Sequence, residues 1–76
     1  MTTRWLAILG LAAAAVPLLT RGLTLPNPDA RMAAIEALQK LGSQAKESLS
    51  ALESLADDPD EQVRKAARAA VKKIKS

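Results

Sequence analysis

Residues 26–41, PNPDARMAAIEALQKL, return thirty-three positions later as residues 59–74, PDEQVRKAARAAVKKI, and this internal echo decides the fold. Pro26, Arg31, Ala33, Ala34, Ala37 and Lys40 recur as Pro59, Arg64, Ala66, Ala67, Ala70 and Lys73. Ala30, Leu38 and Leu41 are exchanged for the apolar Val63, Val71 and Ile74. A period of this length is the signature of stacked helix pairs, each too small to bury its apolar face alone. Such stacks usually hold another molecule rather than transform one.

Working outward, apolar residues at helical spacing predict three short antiparallel helices joined by short loops. The first runs from about Asp29 to Leu41, with Asp29 at its start, Ala30, Ala33, Ala34, Ala37, Leu38 and Leu41 on one face, and Gly42 as its stop. The second spans about Ser43 to Ala56 and presents Ala45, Leu49, Leu52, Leu55 and Ala56 before Asp57-Asp58-Pro59 ends it. The third, from about Asp60 to Ile74, presents Val63, Ala66, Ala67, Ala70, Val71 and Ile74. The expected class is all-α. About fifty residues, with no aromatic among them, make a marginal core, and there is no cysteine to staple it.

The run A-D-D-P-D-E-Q-V-R-K-A-A-R-A-A-V-K-K-I, residues 56–74, resembles the HEAT repeat in the short form seen in bilin-lyase-like proteins. That form reads D-x-x-x-x-V-R-x-x-A-x-x-A-L, and Asp58, Val63, Arg64, Ala67, Ala70 and Val71 match it. The earlier copy matches at Ala30, Arg31, Ala34, Ala37 and Leu38, without the leading Asp. The resemblance covers residues 26–76; the W-L-G-Y and T-P-L-H signatures of tetratricopeptide and ankyrin repeats are missing. It implies that Asp58, Arg31 and Arg64 tie successive repeats together by hydrogen bonds, and it implies no catalysis. On this reading residues 29–76 hold about one and a half repeats, one helix short of a full pair.

Ahead of the repeat lies a segment of another character. Between Arg4 and Arg21 stand sixteen uncharged residues, WLAILGLAAAAVPLLT, or roughly 24 Å as a helix at ~1.5 Å per residue. Snorkelling of Arg4 and Arg21 and an interfacial Trp5 extend its reach, so residues 1–21 are expected to form a transmembrane anchor and residues 22–28 a linker. Ala7, Gly10 and Ala14 share one face of that helix and form a seat for a neighbouring transmembrane helix. The competing expectation is a cleaved secretory signal, with MTTR as basic region, Trp5 to Leu11 as apolar region and Ala13-Ala14-Ala15 as cleavage site. The localisation expected is a single pass through a bacterial inner membrane, with the periplasm as the alternative after cleavage.

Two surfaces follow from comparing the copies. Met32, Ile35 and Gln39 occupy the positions of Lys65, Arg68 and Lys72, so a face that is apolar in one copy is basic in the other. Met32 and Ile35 are therefore expected either to contact a partner or to pack on Leu23 and Leu25. Val63, Val71 and Ile74, with no following helix to cover them, are expected to be a second contact surface. The basic face Arg64, Lys65, Arg68, Lys72 and Lys75 reads as a solvated helix face, with contact to anionic lipid as the next alternative. A net charge of only +1 over residues 26–76, Glu61 on the same face and no stacking aromatic argue against nucleic acid.

Catalysis has no support. The chain has no histidine, cysteine or tyrosine, and Asp57, Asp58, Asp60 and Glu61 cluster where a helix start attracts acids. No metal, cofactor or small-molecule substrate is implied. The functional expectation is a non-catalytic, membrane-anchored accessory subunit that binds and stabilises a larger membrane protein complex. The alternatives are a secreted periplasmic binding module and a docking factor for a partner enzyme.

Overall fold

A computed structural model describes residues 15–76, all of whose regular structure is helical. Residues 15–22 are helical and are designated α1. They are followed by α2 (Pro28–Leu41), α3 (Leu49–Ser54) and α4 (Glu61–Lys75). Tight 3₁₀ turns at Gly42–Ser48 and Leu55–Asp57 flank α3.

The repeat extends to the caps. The side chain of Asn27 accepts the N–H of Asp29 at 2.8 Å, and Asp60 accepts from Gln62 and Val63 at 2.8 and 3.1 Å. Asn27 and Asp60 stand thirty-three positions apart, so both copies start their helix with the same device. Asp29, expected at the cap, lies inside the first turn, where its charge faces the positive end of the helix dipole. Pro28 is tolerated there because a first-turn residue has no intrahelical N–H bond to lose. Gly42 ends α2 with φ +58°, a left-handed conformation that suits glycine.

The second expected helix is broken into pieces. Ala45 departs from helical geometry at φ −97°, ψ 17°, and the buried Ser48 hydroxyl donates to the Ala45 carbonyl at 2.6 Å. Serine competes in this way with the helical hydrogen-bond ladder, which accounts for a 3₁₀ stretch where apolar spacing alone predicts an unbroken α-helix.

One core unites all four helices. Val16, Leu23, Ala34, Ile35, Leu38, Ala45, Leu52, Val63, Ala67, Ala70 and Ile74 are buried together. Helix α2 packs chiefly on α4, and α1 closes on α2 from the other side: a Cβ on Gly22 would stand 2.9 Å from the Ala34 Cβ. Ala33, expected in the apolar stripe, is exposed, while Ile35 is fully buried.

These contacts change the reading of residues 15–28. Within the linker 22–28, residues 23–25 form tight turns and Asn27, ahead of Pro28, is extended. Leu23, Thr24 and Leu25 donate their N–H groups to the carbonyls of Thr20, Arg21 and Gly22, and Leu23 is buried. Adding the thirty-three-residue period to Val16 and Leu19 gives Leu49 and Leu52, so α1 stands in the register of α3. The described residues thus hold the three expected helices and, ahead of them, the helical segment α1, which stands to α2 as α3 stands to α4. Among the described residues, no helix is long and apolar enough to cross a membrane.

Candidate partner-binding site

The loop within each helix pair, α1–α2 and α3–α4, is held by an arginine. Arg31 donates through Nη1 to the carbonyl of Leu25 at 2.7 Å, and also to that of Pro26 at 2.9 Å. Arg64 donates through Nη1 to the carbonyl of Asp58 at 2.6 Å. Both arginines thus reach back six residues, at positions one repeat apart, and clamp the turn that precedes their own helix.

Arg31 also reaches across to the second pair. Its Nη2 donates to Asp58 Oδ1 at 3.2 Å, and its Nε lies 2.9 Å from Oδ2 with the N–H aimed off the oxygen, an ion-pair contact without a linear hydrogen bond. Both side chains are largely buried. Asp58 Oδ1 also accepts the N–H of Asp60 at 2.9 Å, which fixes the turn that starts α4. Asp58 therefore connects Arg31, the α4 turn and, through its carbonyl, Arg64. Arg64 itself makes no ion pair among the described residues.

At the far end of the molecule α3 and α4 enclose an open groove of about 250 Å³ lined by Leu52, Glu53, Ala56, Ala67, Arg68 and Val71. Its floor is apolar. Subtracting one period from these residues gives Leu19, Thr20, Leu23, Ala34, Ile35 and Leu38. Leu23, Ala34, Ile35 and Leu38 are all buried in the core. Leu52 and Ala67 are likewise buried in the second copy, so the copies differ in cover at Ala56, Arg68 and Val71, which stand where Leu23, Ile35 and Leu38 are enclosed. Lys65 pairs with Glu61 at 3.5 Å and Lys75 with Glu53 at 3.4 Å, whereas Arg68 and Lys72 have no acidic partner among the described residues.

Placed on this geometry, the sequence-based candidates separate. Arg4, Trp5, Ala7, Gly10 and Ala14 lie outside the described residues, and Arg21 is exposed at the end of α1. Ile35, Val63 and Ile74, expected as contact residues, are fully buried in the chain's own core and offer nothing to a partner. Ile35 is part of the core that α2 shares with Leu23, Leu52 and the apolar face of α4. Val63 and Ile74 point into the core shared with α2 and α3. Met32 is half-buried against the same core, and Val71 is half-buried on the groove floor. Leu25, the other residue expected to cover Met32 and Ile35, is 45% exposed.

The groove residues Leu52, Glu53, Ala56, Ala67 and Arg68 were not among the expected contacts, although the exchange of Ile35 for Arg68 was visible as a signal. Reading it required knowing which copy is covered. Among the described residues no cluster of potential metal ligands occurs.

Comparison with curated proteins and with solved structures gives no match. Comparison with protein families gives one over residues 2–72, described as HEAT repeats, which takes in the amino-terminal segment as well as both echoing copies. With nearly its whole length matched, this chain belongs to the HEAT-repeat family, whose modules typically serve as non-catalytic scaffolds for protein–protein interaction.

Proposed function

We propose that this chain is an accessory subunit or adaptor that holds a larger protein assembly through the α3/α4 face of its repeats. The observation that carries this reading is the groove itself. Its residues Ala56, Arg68 and Val71 repeat the positions of Leu23, Ile35 and Leu38, which are fully buried, yet Ala56 and Val71 are only half-buried and Arg68 is exposed. Apolar surface that a stack covers in one copy and leaves open in the next favours association.

Native mass spectrometry of the chain isolated from its source cells, with crosslinks mapped to residues, tests the proposal. A stoichiometric protein partner is the expected result. Recovery solely as a free monomer under mild conditions counts against it. If the partner is an enzyme, deleting this chain should also lower that enzyme's activity, which distinguishes a docking factor from a purely structural subunit.

A membrane-bound form of the same adaptor is favoured by one feature, the uncharged run from Trp5 to Thr20. Against a simple tether stands the engagement of Val16, Gly22 and Leu23 with the repeat core. Cell fractionation followed by an alkaline wash separates the two forms. A chain that stays in the membrane pellet supports insertion, and one released with the soluble fraction opposes it.

A further inference from the structure

We infer that the outer side of α4 rests on a bilayer surface of anionic lipid, with Lys65, Arg68, Lys72 and Lys75 as the cations that meet the headgroups. The inference goes beyond the adaptor reading, since it needs no protein partner.

Charge is distributed unevenly between the two copies. Helix α4 carries six cations, Arg64, Lys65, Arg68, Lys72, Lys73 and Lys75, against one acid, Glu61, so it holds +5 where the whole chain nets +3. Helix α2, its counterpart one period earlier, balances Arg31 and Lys40 against Asp29 and Glu36. Lys65, Arg68, Lys72 and Lys75 follow one another at spacings of three and four residues, which lines them along one side of the helix over about 15 Å. All four are exposed. In the first copy the same positions hold Met32, Ile35, Gln39 and Gly42, none of them charged.

Solvation alone does not account for such a stripe. Solubility is served by mixed signs, as on α2, whereas like charges three and four residues apart repel and weaken a helix. Arg64 with Arg68, Arg68 with Lys72, Lys65 with Arg68, and Lys72 with Lys75 all stand at those spacings. The helix dipole favours the cations of the last turn, Lys72, Lys73 and Lys75, but not Lys65 or Arg68, which precede it. The ion pairs within reach, Lys65 with Glu61 at 3.5 Å and Lys75 with Glu53 at 3.4 Å, join side chains that are more than half exposed, so each is weak and readily exchanged. Against an anionic surface every member of the stripe becomes attractive.

Two features favour lipid over another anion. Four of the six cations are lysines, flexible point charges that suit mobile headgroups better than a fixed acceptor pattern, and α4 has no aromatic to stack on a base. The chain also carries the uncharged run Trp5–Thr20, the composition of a segment that meets lipid.

The test uses the full chain with phosphatidylcholine vesicles and with vesicles that also contain phosphatidylglycerol. Cosedimentation is measured together with an amine-reactive footprint read by mass spectrometry. Binding is expected to rise with phosphatidylglycerol and to fall as salt rises, with Lys65, Lys72 and Lys75 protected and Lys40 and Lys46 modified as in the free chain. Lys65→Gln, Arg68→Gln and Lys72→Gln should each weaken the phosphatidylglycerol-dependent binding about fivefold, while Lys40→Gln leaves it within about twofold. Because Arg68→Gln and Lys72→Gln remove like-charge contacts, both should unfold at no lower urea concentration than the parent, so that lost binding is not lost fold.

Binding that is equal on the two vesicle types with the α4 lysines unprotected overturns the inference, because the contact then lies elsewhere in the chain. Equal losses in Lys40→Gln and Lys72→Gln do the same, since net charge alone then governs. So does the absence of binding, or protection of α4 by an acidic protein partner with none by lipid. A chain that recovers its protein partner and ignores the vesicles refutes the lipid contact while the adaptor reading stands, and one that binds them but recovers no partner does the reverse.

Discussion

Asp58 ties together Arg31, the turn that starts α4 and Arg64. Its carboxylate sits at the junction of the two helix pairs, accepts the Asp60 N–H and neutralises an Arg31 side chain that is only 11% exposed. Replacing one partner of a largely buried pair leaves the other uncompensated, at a cost of about 3 kcal/mol. Asp58→Ala should lower the free energy of urea unfolding by about that amount, with Asp58→Asn falling between it and the parent because the amide keeps the turn-capping acceptor. Gly22 is the second residue whose identity is dictated by a contact. Alanine there would gain helix propensity of up to about 1 kcal/mol, but its methyl would come within 2.9 Å of Ala34, closer than carbon atoms approach, and overpacking costs about 1–3 kcal/mol. Gly22→Ala should therefore destabilise. Because Ala34→Gly makes room for the new methyl, a double-mutant cycle should show the two changes to be less costly together than their sum.

At the scale of elements, α2 and α4 are regular and capped, whereas the segment between them is not. The caps of α2 and α4 are local, an Asn or Asp followed by a first-turn acid, but the sequence alone points to Asp29 rather than Asn27 as the first. Asp60→Ala should cost about 1 kcal/mol and fray the first turn of α4, seen as faster hydrogen exchange at Gln62 and Val63. The 3₁₀ stretch Gly42–Ser48 has no side-chain cap and contains the off-helix Ala45. Its amides should exchange first of all those in residues 28–75, and those of the α4 interior last. Sequence periodicity predicts one helix over 43–56 because Ala45, Leu49 and Leu52 do fall on a common face. Ser48 and its bond to the Ala45 carbonyl decide otherwise, and no apolar pattern reports a serine's choice of partner.

For the whole molecule, the question is which faces are covered. The stack is asymmetric: α2 meets α1 at Gly22 and packs chiefly on α4, whereas α4 borders the groove it forms with α3. Arg68 marks the edge of that groove. Arg68→Ile would recreate there the apolar surface that the first pair uses for stacking. It should drive head-to-tail self-association, read as a concentration-dependent rise in sedimentation coefficient that the parent chain lacks.

The sequence by itself determined the period and the all-α class, because both are written in local composition and spacing. The Asp–Arg motif was equally plain as a family pattern. Its geometry was not: Asp58 pairs with Arg31 of the other copy through its carboxylate and with Arg64 of its own through its carbonyl. Only the tertiary structure decided that Ile35, Val63 and Ile74 are core while Arg68 and Val71 border a groove, and that residues 15–22 join the stack as the register mate of α3. The reason is physical: an amphipathic pattern states that a helix has an apolar face, but burial depends on what stands opposite. For α2 that is set by α1 and α4 together, through contacts that adjacent residues do not encode.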